Sequence, residues 1–285
     1  MTDVIVGVDE SAGAAGALRW ATTEATLHGW DVTAVMAWGL LDQHHPDADQ
    51  AFDPEYSEDD AAATLAVIVE RALGAEGAKV GTRVINDLPA PALLDAATGS
   101  RLLVVGARGL GGFRGLLLGS VSQHCLHHAS SPIAVVHHAE RLGGARRVVV
   151  AAVDGSDTST RALAWAIEEA RLRRITLRVV TAWHLPVVGS YPYAGEMFDP
   201  PLFERGARQV VDDALAACNT EDVGLEQIVG EGSAANVILE AAKAADLVVM
   251  GSRGLGGFKG LLVGSATQQV THHAPCPVIV VPPAA

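Results

Sequence analysis

The chain has 285 residues, 49% of them apolar and 19% charged, and a formal net charge of −13. That is a globular composition, of a length suited to two domains rather than one small core. The acidic balance repels phosphate, which argues against nucleic acid and anionic membrane as partners. The longest apolar run, Ala61 to Val69, falls far short of the roughly 20 residues that span a bilayer.

In chain order, VIVGVD (Val4 to Asp9) reads as a buried strand, and no basic segment with a cleavage site precedes it, so no secretory leader is expected. Ser11 is a good N-cap for a helix carrying Ala17, Trp20, Ala21 and Glu24 and stopping at His28-Gly29. A second strand covers Asp31 to Trp38. Eight acidic residues and no Lys or Arg lie between Asp42 and Asp60, read as a solvated connection in preference to an acidic partner-binding loop. Ser57-Glu58-Asp59-Asp60 opens the second helix in a capping arrangement. A strand over Lys79 to Ile85, a short helix after Pro89 and Pro91, a strand over Arg101 to Ala107, a helix from Ser120 and a strand over Pro132 to His138 follow.

Five strands alternating with four helices define a doubly wound parallel α/β domain. With strand order 3-2-1-4-5, ligands sit beyond the carboxyl ends of strands 1 and 4. The whole pattern occurs twice. A constant shift of 145 lays Asp9 on Asp154, Trp20 on Trp165, Trp38 on Trp183 and Pro132 on Pro277, and 19 of the 31 positions from Gly106 to Val136 are identical to their partners. We therefore expect two tandem domains, 1–140 and 145–285, joined near His137 to Arg147. Cys125, Cys218 and Cys276 are odd in number, form no CxxC and share no place in the two copies. They indicate a reducing, cytoplasmic setting rather than a disulfide framework.

The densest glycine in the chain falls where the fold binds ligands. GARGLGGFRGLLLGS, Gly106 to Ser120, leaves strand 4, and GSRGLGGFKGLLVGS, Gly251 to Ser265, repeats it. Glycine lets backbone N–H groups close on a phosphate, and a helix opening at Gly119-Ser120 points its unpaired N–H groups at the same space. Neither copy has the Gly-Lys-[Ser/Thr] of a P-loop, the first strand-to-helix turn GVDESAG is not a dinucleotide fingerprint, and GxSxG is absent.

The spacing Gly106-x2-Gly109-x9-Gly119-Ser120, repeated as Gly251-x2-Gly254-x9-Gly264-Ser265, resembles the nucleotide-binding signature of the universal stress protein family, and the likeness extends over nearly the whole chain. The resemblance implies an adenine nucleotide alpha hydrolase-like fold and one ATP per copy, with Mg²⁺ on its phosphates. It implies a first site at Gly7, Asp9, Ser11, Ala37, Gly106, Arg108, Gly109, Gly111, Gly112, Gly119, Ser120, Val121 and Ser122. The second falls at Ala152, Asp154, Ser156, Ala182, Gly251, Arg253, Gly254, Gly256, Gly257, Gly264, Ser265, Ala266 and Thr267. It further implies pairing of the PIAVV and PVIVV strands, hence a pseudo-dimer of the two halves, with homodimerisation left open, and a regulatory role in stress response. An enzyme that slowly hydrolyses ATP or transfers its phosphate stays as the alternative. Gly7 against Ala152 suggests unequal sites, the added methyl weakening the second.

Other residues have plainer readings. His124, His127 and His128 suit a helix C-terminus better than a metal, Trp20 and Trp165 suit core packing, and Glu168-Glu169 suit a helix surface.

Overall fold

The computed structural model describes residues 3–39, 55–109, 117–137, 148–185, 199–255 and 262–284. They form two compact units, one of residues 1–144 with 275–283 and one of residues 145–274. In the first, β1 (Val4–Gly7), α1 (Ala12–His28), β2 (Val32–Trp38), α2 (Glu58–Leu73), β3 (Gly81–Asn86), α3 (Pro89–Ala96), β4 (Leu102–Gly106), α4 (Ser120–His128) and β5 (Ile133–Val136) alternate. In the second, β6 (Val148–Ala152), α5 (Asp157–Arg173), β7 (Thr176–Trp183), α6 (Pro200–Ala216), β8 (Leu225–Glu231), α7 (Ala234–Ala242), β9 (Leu247–Gly251) and α8 (Ser265–His273) do the same.

The first unit has the strand order β3-β2-β1-β4-β5, all parallel. The second has β8-β7-β6-β9, also parallel. The final strand, β10 (Val278–Val281), completes the sequence of the second copy but belongs to the first unit. It runs antiparallel to β5, Ile279 opposite Ala134, so that β5 is not a bare edge. Each sheet is filled from both faces. Val4, Val6, Leu102, Leu103, Val149, Val150, Leu247 and Val248 are fully or almost fully buried, as continuous apolar strands under two helical layers must be.

Local chemistry sets the helix limits. The Ser11 and Ser156 side chains accept from the Ala14 and Ser159 N–H groups at the starts of α1 and α5. Ser57 and Asp60 form a reciprocal capping box on α2. Three acids of the acidic segment, Glu58, Asp59 and Asp60, are thus the first turn of α2, where the helix dipole favours them. Residues 42–54 of that segment, and 138–147 of the expected join, lie outside the described residues. Pro89 and Pro91 do not precede α3 but lie in its first turn, where a missing N–H costs nothing. Lys79 closes a 3₁₀ turn over Gly74–Lys79, and β3 starts two residues later, at Gly81. At the end of α1, Gly29 takes φ 70°. The second copy has Arg174 there at φ 54°, a conformation that costs a residue with Cβ about 1–2 kcal/mol.

Glu169 corrects the surface reading. Glu168 is exposed and pairs with Arg171, but Glu169 is completely buried and accepts from Trp165 Nε1 at 2.9 Å and Arg173 Nε at 3.1 Å. Its counterpart Glu24 is equally buried, with His28 Nε2 3.6 Å away. Helical periodicity put Glu169 on a polar face, and the Arg173 guanidinium one turn later, with the Trp165 indole N–H, satisfies it inside. Trp20 is buried as expected, whereas Trp165 is half-buried and spends its indole N–H on Glu169.

His127 and His272 occupy the last turns of α4 and α8, and the Nε2 of each is buried without a hydrogen-bond partner among the described residues. Burial, aided by the neighbouring His128 and His124, holds His127 below the ordinary histidine pKa, and burial with His273 does the same to His272. The folded chain therefore binds fewer protons here than the unfolded one as pH falls through the ordinary histidine range, so this contribution to stability is lost on acidification. Denaturant unfolding midpoints from pH 7.5 down to pH 5.5 are expected to fall less in the His127→Gln/His272→Gln double variant than in the parent. Cys125 and Cys276 are buried, and burial pushes the Cys125 thiol up to about 12, whereas Cys218 is half-exposed. A thiol reagent under native conditions is expected to label Cys218 quickly and the other two only on unfolding.

Candidate nucleotide site at the strand ends

The second unit holds a small cavity of about 100 Å³ at the carboxyl ends of its central strands. Its walls are Ala152, Val153 and Asp154 after β6, Val180 to Ala182 of β7, Met250 and Gly251 of β9, Arg253 and Gly254 of the turn, Ala266 and Thr267 of α8, Ala234 and Ile238 of α7, and Ser159 of α5. This is the cleft that the strand order places between the first and fourth strands of the repeat.

The glycine turn is folded onto the aspartate. Asp154 Oδ1 accepts from Ser156 N at 3.1 Å and Ser156 Oγ at 2.6 Å, and its Oδ2 accepts from Leu255 N at 2.8 Å. A Cβ on Gly254 would stand on that Oδ2, and one on Gly251 would stand 2.7 Å from Thr158 Oγ1. The first unit repeats the arrangement. Asp9 Oδ1 accepts from Ser11 N at 3.0 Å and from the Ser11 hydroxyl, Gly109 lies against Asp9 Oδ2, and Gly106 lies against the Gly13 carbonyl group. Gly106, Gly109 and their repeats are therefore required by close backbone and carboxylate contacts within the protein.

Gly119 and Gly264 differ. They are the N-caps of α4 and α8 with φ of −74° and −71°, which any residue adopts. The nearest described atom to a Cβ at either is 3.6 Å away, an ordinary contact. Neither helix has a side-chain cap among the described residues, which leaves first-turn N–H groups at Ser120, Val121 and Ser122, and at Ser265, Ala266 and Thr267, without one, and Ala266 and Thr267 line the second-unit cavity. The Ser122 and Thr267 hydroxyls donate to the Gly106 and Gly251 carbonyls at 2.6 and 2.9 Å, and the Gly119 and Gly264 N–H groups donate to Ala107 and Ser252. These bonds pull each helix start against its strand end.

Of the residues expected in the second site, Ala152, Asp154, Ala182, Gly251, Arg253, Gly254, Ala266 and Thr267 line the cavity. Ser156 reaches it through Asp154, and Gly264 and Ser265 stand at its helix. In the first unit, Asp9, Ser11, Gly106, Arg108, Gly109, Gly119 and Ser122 are joined by the contacts above, Gly7 and Ala37 end β1 and nearly end β2, and Ser120 and Val121 open α4. Gly111, Gly112, Gly256 and Gly257 lie outside the described residues. Sequence reading missed Val153, Ser159, Val180, Thr181, Ala234, Ile238 and Met250, most of them ordinary strand or helix residues without a motif. Ser159 was detectable because its counterpart is Ala14.

The Gly7/Ala152 difference is accompanied by a second one at a neighbouring helix position. A Cβ on Gly7 would meet a Leu93 methyl at 2.6 Å, so Leu93 already fills that room, and where the second copy has Ala152 it has Ile238 in place of Leu93. One level up the pairing reverses: Gly230 faces Val237, where the first copy has Ile85 and Ala92. Strand and helix trade volume between copies.

A wider surface groove of about 580 Å³ lies between α5 and the end of α6, lined by Ile167, Arg171, Cys218 and Asp222. Its one arginine is committed to Glu168 and Asp222, whereas Arg253 has no ion pair among the described residues. An anion is better served at the strand ends.

The tandem parallel α/β architecture with this cleft is that of the adenine nucleotide alpha hydrolase-like class. Residues 1–137 and 145–282 each match the model of the universal stress protein family, and the chain belongs to that family. It is 34% identical over 298 residues to a universal stress protein of Mycolicibacterium smegmatis, covering 98% of this chain and 97% of that one. It is 33% identical over 291 residues to one of Mycobacterium tuberculosis, covering 97% and 95%. A crystal structure of a universal stress protein from Archaeoglobus fulgidus superposes with a TM-score of 0.66 over 98% of both chains at 20% identity, which shows the shared fold.

The glycines separate into two kinds by experiment. Gly109→Ala and Gly254→Ala are expected to destabilise by about 1–3 kcal/mol, since a carboxylate must move. Gly119→Ala and Gly264→Ala are expected to stay within about 0.5 kcal/mol of the parent. Urea unfolding midpoints check both.

Proposed function

We propose that each copy of the repeat is a domain, 1–140 and 145–285, and binds one ATP, so that the protein works as a nucleotide-dependent regulator in stress response. The observation that carries the reading is the start of α4 and α8. An uncapped helix N-terminus faces the cleft across a glycine whose missing side chain no described part of the protein requires. Space and donors left open at one point suit a phosphate, held by backbone N–H groups and favoured by the helix dipole. Arg108 and Arg253 add charge from the glycine turn, and the ends of β2 and β7 receive the base.

Mg²⁺ fits as an ion carried on the phosphates. Asp154 presents hard oxygen, but three of its roughly four lone-pair positions already accept from Ser156 and Leu255, leaving room for one further contact. The same saturation makes Asp154 a clamp rather than a general base, so turnover of ATP is slow and incidental. Regulation then rests on occupancy, ATP favouring one of two states by its unequal affinity for them. No helix among the described residues is long and apolar enough to cross a membrane.

Denaturing the freshly purified protein and identifying released nucleotide by chromatography is expected to yield close to two ATP per chain, and about one from Gly119→Val. Absence of nucleotide, with no binding on addition of ATP and Mg²⁺, would sink the reading. Stoichiometric ADP would shift it to the enzyme alternative.

A further inference from the structure

The two copies differ most pointedly in the first turn of the helix that faces the glycine turn. The first copy reads Ala12-Gly13-Ala14 and the second Asp157-Thr158-Ser159. In the second unit, the Thr158 hydroxyl donates to the Arg253 carbonyl and lies 3.1 Å from Ser156 Oγ. Ser159 Oγ accepts from the Asp154 N–H at 3.4 Å and donates to Ser156 O at 2.8 Å. Thr158 is 7% exposed and Ser159 is 3% exposed, so both hydroxyls are built into the wall, and Ser159 lines the cavity.

The first unit has neither hydroxyl. Gly13 lies directly beneath the Arg108 carbonyl, leaving no room for a Cβ, and among the described residues that carbonyl receives only Ser11 Oγ, at 3.5 Å. Ala14 stands where the second copy has Ser159, so the first copy has no hydroxyl at this position. Among the described residues, the turn carbonyl is bonded by a threonine hydroxyl of the helix in one copy and only by the N-cap serine, at longer range, in the other.

We propose that Thr158 and Ser159 are positioning residues that pre-organise the second site, making it the tighter of two unequal nucleotide sites. The inference rests on the nucleotide reading above and reverses the order suggested by Gly7 and Ala152, because Leu93 already takes up the room beside Gly7 in the first copy. A turn already fixed in its binding geometry loses less conformational freedom when ligand arrives, and the saving appears as affinity. Two such bonds correspond to about a tenfold difference.

Equilibrium dialysis of the full chain against ATP with Mg²⁺ tests this. The parent is expected to show two classes of site about tenfold apart. Thr158→Val is expected to weaken the tight class alone toward the weaker one, Thr158→Ser to restore it, and Ser159→Ala to weaken it by a smaller factor. In a Gly119→Val background, which closes the first site, the surviving site is expected to be the tight one and to respond to Thr158→Val. Thermal midpoints of the variants separate loss of affinity from loss of fold, and Ser159→Ala carries the test if Thr158→Val unfolds. Two equal sites in the parent, or a Thr158→Val effect shared by both sites or by neither, would overturn the asymmetry and leave nucleotide binding standing. No binding by the parent would overturn both.

Discussion

A carboxylate at the end of each copy's first strand organises everything around it. Asp154 accepts two bonds from Ser156 and one from the Leu255 N–H, so a single side chain fixes the start of α5 and the turn leaving β9. Asp9 holds Ser11 in the same way and sits against Gly109. Without that clamp the glycine turn has backbone freedom but no address. With it, the turn's carbonyl and N–H groups face a defined space at the one edge of the sheet where parallel strands leave a crevice.

The duplication serves as an internal control on which features are fold and which are function. Volume is traded between strand and helix: Gly7 with Leu93 becomes Ala152 with Ile238, and Ile85 with Ala92 becomes Gly230 with Val237. The clamp, the turn glycines and the uncapped helix starts are kept in both. The first turn of the facing helix is neither traded nor kept. It gains two hydroxyls in one copy, Thr158 bonding to the Arg253 carbonyl of the glycine turn and Ser159 to the Asp154 N–H and Ser156 carbonyl at the start of its own helix.

Much of this was legible in the chain before folding. The strands were marked by continuous apolar runs, the helix starts by Ser11, Ser57 and Ser120, and the ligand edge by glycine at fixed spacing, since each signal depends only on neighbours in sequence. Glu169 was not legible, because whether a carboxylate on a mixed helix face turns inward depends on Trp165 and Arg173 reaching it. The cavity residues Val180, Thr181 and Met250 were not legible either. A buried strand residue looks the same whether or not its end opens into a cleft.

The sequence by itself determined the doubled α/β pattern, the strand order of the repeat and the place where its glycines gather. These follow from periodicity, turn chemistry and the handedness of crossovers. The resemblance implied that β10 pairs with β5, as it does; tertiary structure alone decided that β10 packs as part of the first unit, because strand pairing is set by which backbone edge is open rather than by chain order. It also decided that glycines alike in sequence have different duties. Gly109 and Gly254 are held by a carboxylate, whereas Gly119 and Gly264 leave space that no described residue fills, a distinction that exists only once the surrounding atoms are in place.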